Sequence, residues 1–170
     1  FDGFSASAGL GLIVMKAASL AKAGKSKEEI ISQLPEIISL SKVFLAVKDL
    51  QYVVKGGRLP AWVKSIADFL HIRPVLSTKE NGEMGAEGIL MGTENLPEKL
   101  CKFVLSKMEK DTQYTISVGH SNALEDGKKL MELIQQGHNH IENIYLQDMG
   151  CALGVHAGPG SLVTAIQPIH

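Results

Sequence analysis

The amino-acid sequence predicts an α/β fold: a mixed six-stranded sheet with helices packed on its faces. Short runs rich in β-branched and aromatic residues alternate with longer segments whose apolar side chains recur at helical spacing. Asn81-Gly82 separates two strand-like runs, and this dipeptide is a strong signal for a hairpin between antiparallel strands. Residues 114–146 read as strand, helix and strand, which predicts two parallel strands joined by a crossover helix. An antiparallel hairpin and a parallel unit together give a mixed sheet.

Two helices are predicted before the first strand. Residues 8–23 carry apolar side chains at helical spacing, and Gly24 follows as a typical helix stop. Ser26 and Glu29 have the spacing of a capping box, so a second helix begins there and runs to about residue 40. Pro35 lies inside this second helix and is expected to kink or split it, because proline has no backbone N–H.

The remaining elements are strands and helices in alternation. Asp49 suits the N-cap of a short helix that Gly56-Gly57 end, and Pro60 suits the first turn of the next helix. In order, the predicted elements are strand 43–47, helix 50–55, helix 60–70, strands 72–78 and 85–91, helix 96–109, strand 114–118, helix 123–136, and strands 141–146 and 162–166. The prediction is therefore six strands and six helices in a single domain, residues 1–170.

Length and composition narrow the function classes. A chain of 170 residues can bury one sizeable core, and a net charge of −1 argues against nucleic acid, which needs a cationic face. No apolar run reaches the roughly 20 residues of a membrane span, and the cationic start of a secretory signal is missing. We therefore expect a cytoplasmic protein with Cys101 and Cys151 as free thiols. A chain that opens on Phe1 is expected to be a piece of a longer protein.

The most informative segment is residues 152–164, where one histidine lies among glycines and a proline. Gly154, Gly158 and Gly160 permit unusual backbone conformations and close approach by another group, and Pro159 stiffens the turn. This pattern predicts a fixed loop that presents the His156 imidazole beside exposed backbone amides. A ligand-facing role is the hypothesis, and a structural histidine that bonds its own loop is the alternative.

Two further segments carry candidate binding residues. Gly56-Gly57 end a helix and are followed by Arg58, whose planar guanidinium suits a carboxylate or phosphate, although a solvated arginine after a helix cap is equally typical. Ser5 and Ser7 precede the first helix, where either one is a plain N-cap candidate or part of an anion site at the helix start.

The other histidines give weaker signals. His120 falls where a buried strand ends, which in α/β sheets faces the binding crevice, but it could equally cap the next helix with its polar neighbours. His138 and His140 lack the partners of a metal site and are expected in a solvated turn. No metal, cofactor or catalytic constellation is predicted.

Four segments, in this order, resemble the C-terminal domain of DegV-family proteins. They are residues 2–14 (DGFSASAGLGLIV), 50–59 (LQYVVKGGRL), 72–76 (IRPVL) and 154–160 (GVHAGPG), so the resemblance covers essentially the whole chain. It implies a protein that holds one long-chain fatty acid between this domain and an N-terminal α/β domain, which this chain lacks. Several members of the family are binding subunits of bacterial fatty acid kinase, in phospholipid metabolism, and present the acyl carboxylate to a partner kinase. Fusion to a dihydroxyacetone-kinase-like domain is the other arrangement that the resemblance implies.

The resemblance also implies residue roles. His156 matches the histidine that hydrogen-bonds the carboxylate, and Arg58 matches an arginine beside it on the surface used by the kinase. With Ser5 and the amides of Gly158 and Gly160, these residues form the expected ligand-binding set.

The physical chemistry of a fatty acid is compatible with this expectation. Each buried methylene contributes about 0.8 kcal/mol, so an apolar slot is needed, and a buried carboxylate needs a few donors. Trp62, Ile66 and Phe69 on the helix at 60–70 are candidate walls of that slot, although such residues are more often ordinary core. We therefore expect a carrier rather than an enzyme. The alternatives are an enzyme that uses His156 as base or nucleophile, and an interaction module whose glycine segment contacts another domain.

Overall fold

A computed structural model describes residues 2–79, 81–92 and 94–169 of the chain. Its elements are, in chain order, α1 Ser7–Lys22, α2 Lys27–Leu40, β1 Lys42–Ala46, α3 Leu50–Lys55, α4 Ala61–Phe69, β2 Ile72–Thr78, β3 Met84–Met91, α5 Leu96–Leu105, β4 Tyr114–His120, α6 Leu124–Gly137, β5 Ile141–Asp148, α7 Cys151–Ala157 and β6 Leu162–Pro168. All six predicted strands and all six predicted helices are present, and α7 is an additional helix that the sequence did not predict.

The six strands form one mixed sheet, in the order β3-β2-β1-β6-β4-β5. β4 and β5 are parallel, and the other neighbouring strands are antiparallel. The hairpin between β2 and β3 turns at Asn81-Gly82, where Gly82 has a φ of +80° that favours glycine. The predicted mixed sheet with helices on its faces is confirmed.

The strand directions define two ends of the sheet. β1 and β4 both run antiparallel to β6, and β5 runs parallel to β4, so the carboxyl ends of β1, β4 and β5 lie together. Leu162, at the start of β6, pairs with Ala46 on one side and with His120 on the other. We call this the carboxyl end of the sheet. The opposite end, which holds the start of β1 and the β2–β3 hairpin, is the amino end.

Alternation along the strands builds a core on each face of the sheet. On β1, Phe44 and Ala46 join the core beneath α5 and α6, whereas Val43 and Leu45 join the core beneath α1, α3, α4 and α7. Successive side chains of a strand point to opposite faces, so an apolar run such as β1 serves both cores. We call the two sides the α5/α6 face and the α1/α4 face.

Two of the predicted helix N-terminal signals form the expected caps. The amide of Glu29 donates to Ser26 Oγ at 3.1 Å and the amide of Ser26 donates to Glu29 Oε2 at 2.8 Å, which is a complete capping box. Asp49 Oδ1 accepts from the amide of Gln51 at 2.8 Å and caps α3. Of the two expected effects of Pro35, a split of α2 is wrong, since the helix continues through this residue, and a kink stays a prediction. No residue of α2 is buried, so the backbone carbonyl that Pro35 leaves without an N–H donor is accessible to water.

The expectation of a loop over the segment before β6 is wrong for its first half. Residues Cys151–Ala157 form α7, and His156 lies in its last turn. The helix ends at Gly158, whose φ of +77° only glycine adopts readily. Glycine content indicated irregular structure here, but Gly154 fits inside the helix and only the two later glycines break it.

Candidate functional site

The structure brings the His156 segment against the Gly56-Gly57-Arg58 segment. α7 packs on α3 at the carboxyl end of the sheet. A Cβ built on Gly56 would lie well under 3.0 Å from Nδ1 of His156, 3.0 Å from Cε1 and 3.2 Å from Cγ. The imidazole therefore rests directly on the backbone at the end of α3, and Arg58 follows two residues later in the chain.

The inner nitrogen of this ring is buried. His156 Nδ1 has no hydrogen-bond partner among the residues that the structure describes, although the residue as a whole is only partly buried. The nearby amides cannot serve it, because those of Gly56, Gly57 and Arg58 donate to carbonyls of α3 at 2.9, 2.9 and 3.0 Å. The other ring nitrogen, Nε2, is therefore the one that can make a useful hydrogen bond.

Gly158 and Gly160 do not offer free amides to a ligand. The Gly158 amide donates to Gly154 O at 2.8 Å, and the Gly160 amide donates to Ser121 O at 2.7 Å. A Cβ on Gly158 would collide with the Tyr52 ring, and a Cβ on Gly160 would collide with the Lys48 side chain. The expectation that these amides bind a carboxylate is wrong: both glycines allow the chain to pack closely on itself.

Arg58 is exposed and follows Gly57, which has a φ of +69°. Among the residues that the structure describes, its guanidinium forms no ion pair. An exposed guanidinium two residues after Gly56 suits an anionic group on a ligand or a partner.

Ser5 lies far from this cluster, at the amino end of the sheet. It borders a cavity of about 750 Å³ whose other lining residues include Ser41 and Lys42 at the start of β1 and Thr78 at the end of β2. Its Oγ is buried without a partner, and α1 begins after Ala6 with no side-chain cap. The structure therefore does not bring Ser5 to His156, and neither Ser5 nor Ser7 is the N-cap that the sequence suggested.

The predicted wall residues of α4 are exposed. Trp62 is 65% exposed, Ile66 49% and Phe69 83%, so the alternative of ordinary core is wrong for all three. Their spacing of four and three residues places them along one side of the helix, while Ala67 packs on the sheet. The helix thus has an apolar side that nothing in the described chain covers.

Exposed apolar side chains occur on two other helices of the same face. Leu10 and Val14 on α1 and Val155 on α7 are exposed, although all three are large and apolar. Their exposure was not among the expectations drawn from the sequence. The signal was the near-continuous apolar character of residues 8–15, which is more than one buried side of a helix requires.

A second cavity, of about 920 Å³, lies at the carboxyl end and is lined largely by polar and charged groups. Within it, a hydrogen bond from Lys64 at 2.6 Å and an ion pair with Arg73 at 3.0 Å hold the pKa of the Asp68 carboxyl below its ordinary value. His156 does not line this cavity. A cavity lined by this many charged side chains is poorly suited to an acyl tail.

Two further candidate histidines, His120 and His138, lie in the interior of the fold. His120 is buried, with Nδ1 3.5 Å from Asp148 Oδ1, and it does not cap α6. His138 is also buried, with Nε2 3.1 Å from Glu109 O, so the expectation of a solvated turn is wrong for it. Within residues 2–79, 81–92 and 94–169, no three His, Cys, Asp or Glu side chains are grouped as metal ligands.

Both cysteines are free, Cys101 buried and Cys151 exposed, and burial raises the pKa of the Cys101 thiol. No helix among the described residues has the length and apolar character to cross a bilayer.

The mixed sheet with helices on both faces places the chain in the α/β class, with an imidazole at the carboxyl end of the sheet and exposed apolar side chains on α1, α4 and α7. A family model described as "Uncharacterised protein, DegV family" matches residues 1–168. The chain belongs to the DegV family.

Relatives of known sequence and structure agree with this assignment. A DegV domain-containing protein of Clostridium perfringens is 31% identical over 158 residues, which cover 93% of this chain and 56% of that protein. A fatty acid binding DegV family protein of Streptococcus agalactiae superposes with a TM-score of 0.83 at 26% identity, over 100% of this chain and 59% of that one. The DegV fatty acid binding protein of Bacillus subtilis gives 0.81 at 25% identity, over 99% and 60%. The chain therefore spans less than two thirds of the length of these relatives.

A more distant structure shows the fold alone. The DegV family protein of Eubacterium eligens, solved loaded with heptadecanoic acid, superposes with a TM-score of 0.83 at 19% identity, over 98% of this chain and 59% of that one.

Proposed function

We propose that this chain is the part of a fatty-acid-binding protein that holds the carboxylate at His156 and presents it beside Arg58. The observation that carries the proposal is the seating of the His156 ring on Gly56, two residues before the exposed Arg58, on the face of the sheet whose helices α1, α4 and α7 leave apolar side chains exposed. The relatives described as fatty acid binding proteins support the ligand class.

The ring is suited to donate a hydrogen bond through Nε2. A buried N–H without an acceptor is rare and costly, so the neutral tautomer with a bare lone pair at the buried Nδ1 is favoured. The proton then resides on Nε2, on the less enclosed side of the ring. A hydrogen bond from it to a carboxylate contributes about 1.5 to 3 kcal/mol, which is enough to orient a head group.

The tail is expected to lie against the exposed apolar side chains of the α1/α4 face. At about 0.8 kcal/mol per buried methylene, tail burial supplies most of the affinity. These side chains form only one wall, and the relatives are considerably longer than this chain. The rest of the full-length protein is expected to supply the opposite wall and further polar partners for the carboxylate.

The exposure of Arg58 supports presentation to a kinase. This residue lies two positions after Gly56, and its guanidinium is available to a partner that brings a phosphoryl group. An enzyme that uses His156 as a base would need a group to orient the ring. Among the described residues no carboxylate contacts this imidazole, so binding is favoured over catalysis.

The proposal is tested by extracting the purified full-length protein with organic solvent and identifying lipids by mass spectrometry. We expect about one equivalent of a long-chain monocarboxylic acid. His156→Ala should weaken binding of added palmitate roughly 10- to 100-fold. His138→Ala is the matched control: it removes an imidazole from the α6–β5 connection and should leave palmitate affinity unchanged in the folded protein. A protein that carries no lipid, does not bind palmitate and turns over a small carbonyl or phosphate substrate would refute the carrier function.

A further inference from the structure

We propose that Gly56 is a positioning residue for His156: the absence of its side chain creates the seat that aims the imidazole at the ligand. The inference rests on the proposed function for its binding readout, and the contact itself is independent of it. Glycine is therefore required at positions 56 and 57 for different physical reasons.

The backbone does not require glycine at position 56. Gly56 has φ −76° and ψ 1°, which any residue adopts, whereas Gly57 has a φ of +69° that favours glycine. What distinguishes Gly56 is space: three atoms of the His156 ring lie where its Cβ and the surrounding van der Waals shell would be. Glycine is needed there for close approach.

The seat is rigid and the ring is the part that can move. Leu50 and Val53 anchor α3 in the core, and the amides that follow the helix are all bonded to its carbonyls. Because interiors are close-packed, a methyl group at position 56 cannot push α3 deeper into the sheet. His156 is only partly buried, so the added methyl would turn the imidazole out toward solvent.

The seat also lies two residues before Arg58. The amide of Arg58 donates to Val53 O at 3.0 Å, so its backbone belongs to the same helix end. The position of the imidazole relative to the Arg58 backbone is thus fixed by one short stretch of chain, from which the exposed Arg58 side chain extends.

The experiment is a double-mutant cycle of Gly56→Ala and His156→Ala in the full-length protein. Gly56→Ala should lower palmitate affinity at least about tenfold, a loss of about 1.4 kcal/mol, and should shift the His156 ring signals in the NMR spectrum. In the His156→Ala background the same change should cause no further loss, because the two residues act through one contact. Wild-type affinity in Gly56→Ala, or an equal further loss in the His156→Ala background, would overturn the proposal.

Gly150→Ala is the matched control. It places a methyl group at an exposed glycine before α7, where φ is −57° and nothing lies within 4 Å, so affinity and ring signals should not change. If Gly56→Ala unfolds the protein, thermal melting of the double variant tests the proposal instead. The double variant should then be as stable as His156→Ala, and a double variant that stays unfolded would refute the seat. Should the wild type bind no palmitate, the proposed function fails, while the ring signals and the melting cycle still test Gly56.

Discussion

The exposed apolar side of α4 leads to a prediction. It distinguishes a wall of the acyl-chain site from an exposed patch that has no role in binding. Ile66 on α4 and Leu124 on α6 are isomeric aliphatic residues with almost equal exposure, 49% and 47%. They belong to helices on opposite faces of the sheet. Replacing each by serine therefore removes a similar apolar surface, and only one of the two substitutions alters the proposed wall.

The expected magnitude follows from the exposed fraction. Complete burial of an isoleucine side chain contributes about 1.5 to 3 kcal/mol, and about half of Ile66 remains for a ligand to cover. Ile66→Ser should therefore weaken palmitate binding by about 0.7 to 1.5 kcal/mol, roughly 3- to 12-fold. Phe69 is 83% exposed, so Phe69→Ser should cost more. Leu124→Ser should leave affinity unchanged.

The assay is equilibrium binding of palmitate to the full-length protein, with thermal unfolding as a check on the fold. Ile66 is half exposed, so its substitution should alter stability only modestly. Equal losses for Ile66→Ser and Leu124→Ser would mean that the effect is unspecific. No loss for either Ile66→Ser or Phe69→Ser would show that the tail lies elsewhere.

Three further outcomes are expected. Arg58→Ala should lower acyl phosphate formation with a fatty acid kinase and ATP at least about tenfold, while palmitate affinity measured without the kinase stays near the wild-type value. Ser26→Ala should destabilise the protein by about 1 kcal/mol in thermal unfolding, because the capping box loses the acceptor for the Glu29 amide. Cys151 should react rapidly with a thiol reagent in the folded protein, whereas Cys101, buried and with a raised pKa, should react only on unfolding; equal rates would contradict the described burial.

The fold was readable from the sequence because its signals are local. The Ser26–Glu29 capping box, the Asn81-Gly82 turn and the alternation of strand and helix periods each act within a few residues, and all are present as expected. The helix α7 was not readable, because two turns containing Gly154 have weak intrinsic preference and owe their structure to packing on α3.

The site was only partly readable, because proximity between distant segments is a tertiary property. His156 and Arg58 were predicted to belong together from family resemblance, and the structure connects them through Gly56, which no sequence rule singles out. Ser5 was predicted for the same set, yet the direction of β1 places it at the other end of the sheet. The exposure of the α4 stripe was equally hidden, since an apolar stripe at helical spacing has the same pattern whether a core or a ligand covers it.

Close packing at glycines explains both the part of the site that the sequence predicted and the part that it did not predict. In the sequence, glycines around a histidine indicated approach by a ligand, but Gly56, Gly158 and Gly160 each receive a side chain of the protein itself. Two of these contacts, at Gly56 and Gly158, join α3 to α7 and leave little freedom for either segment to shift. Such rigidity favours a hydrogen-bond donor that must hold a carboxylate in one place, because a ring that is fixed before binding loses less conformational entropy when the ligand binds. We therefore expect the glycine-rich segment to contribute rigidity, rather than a free amide, to the proposed binding.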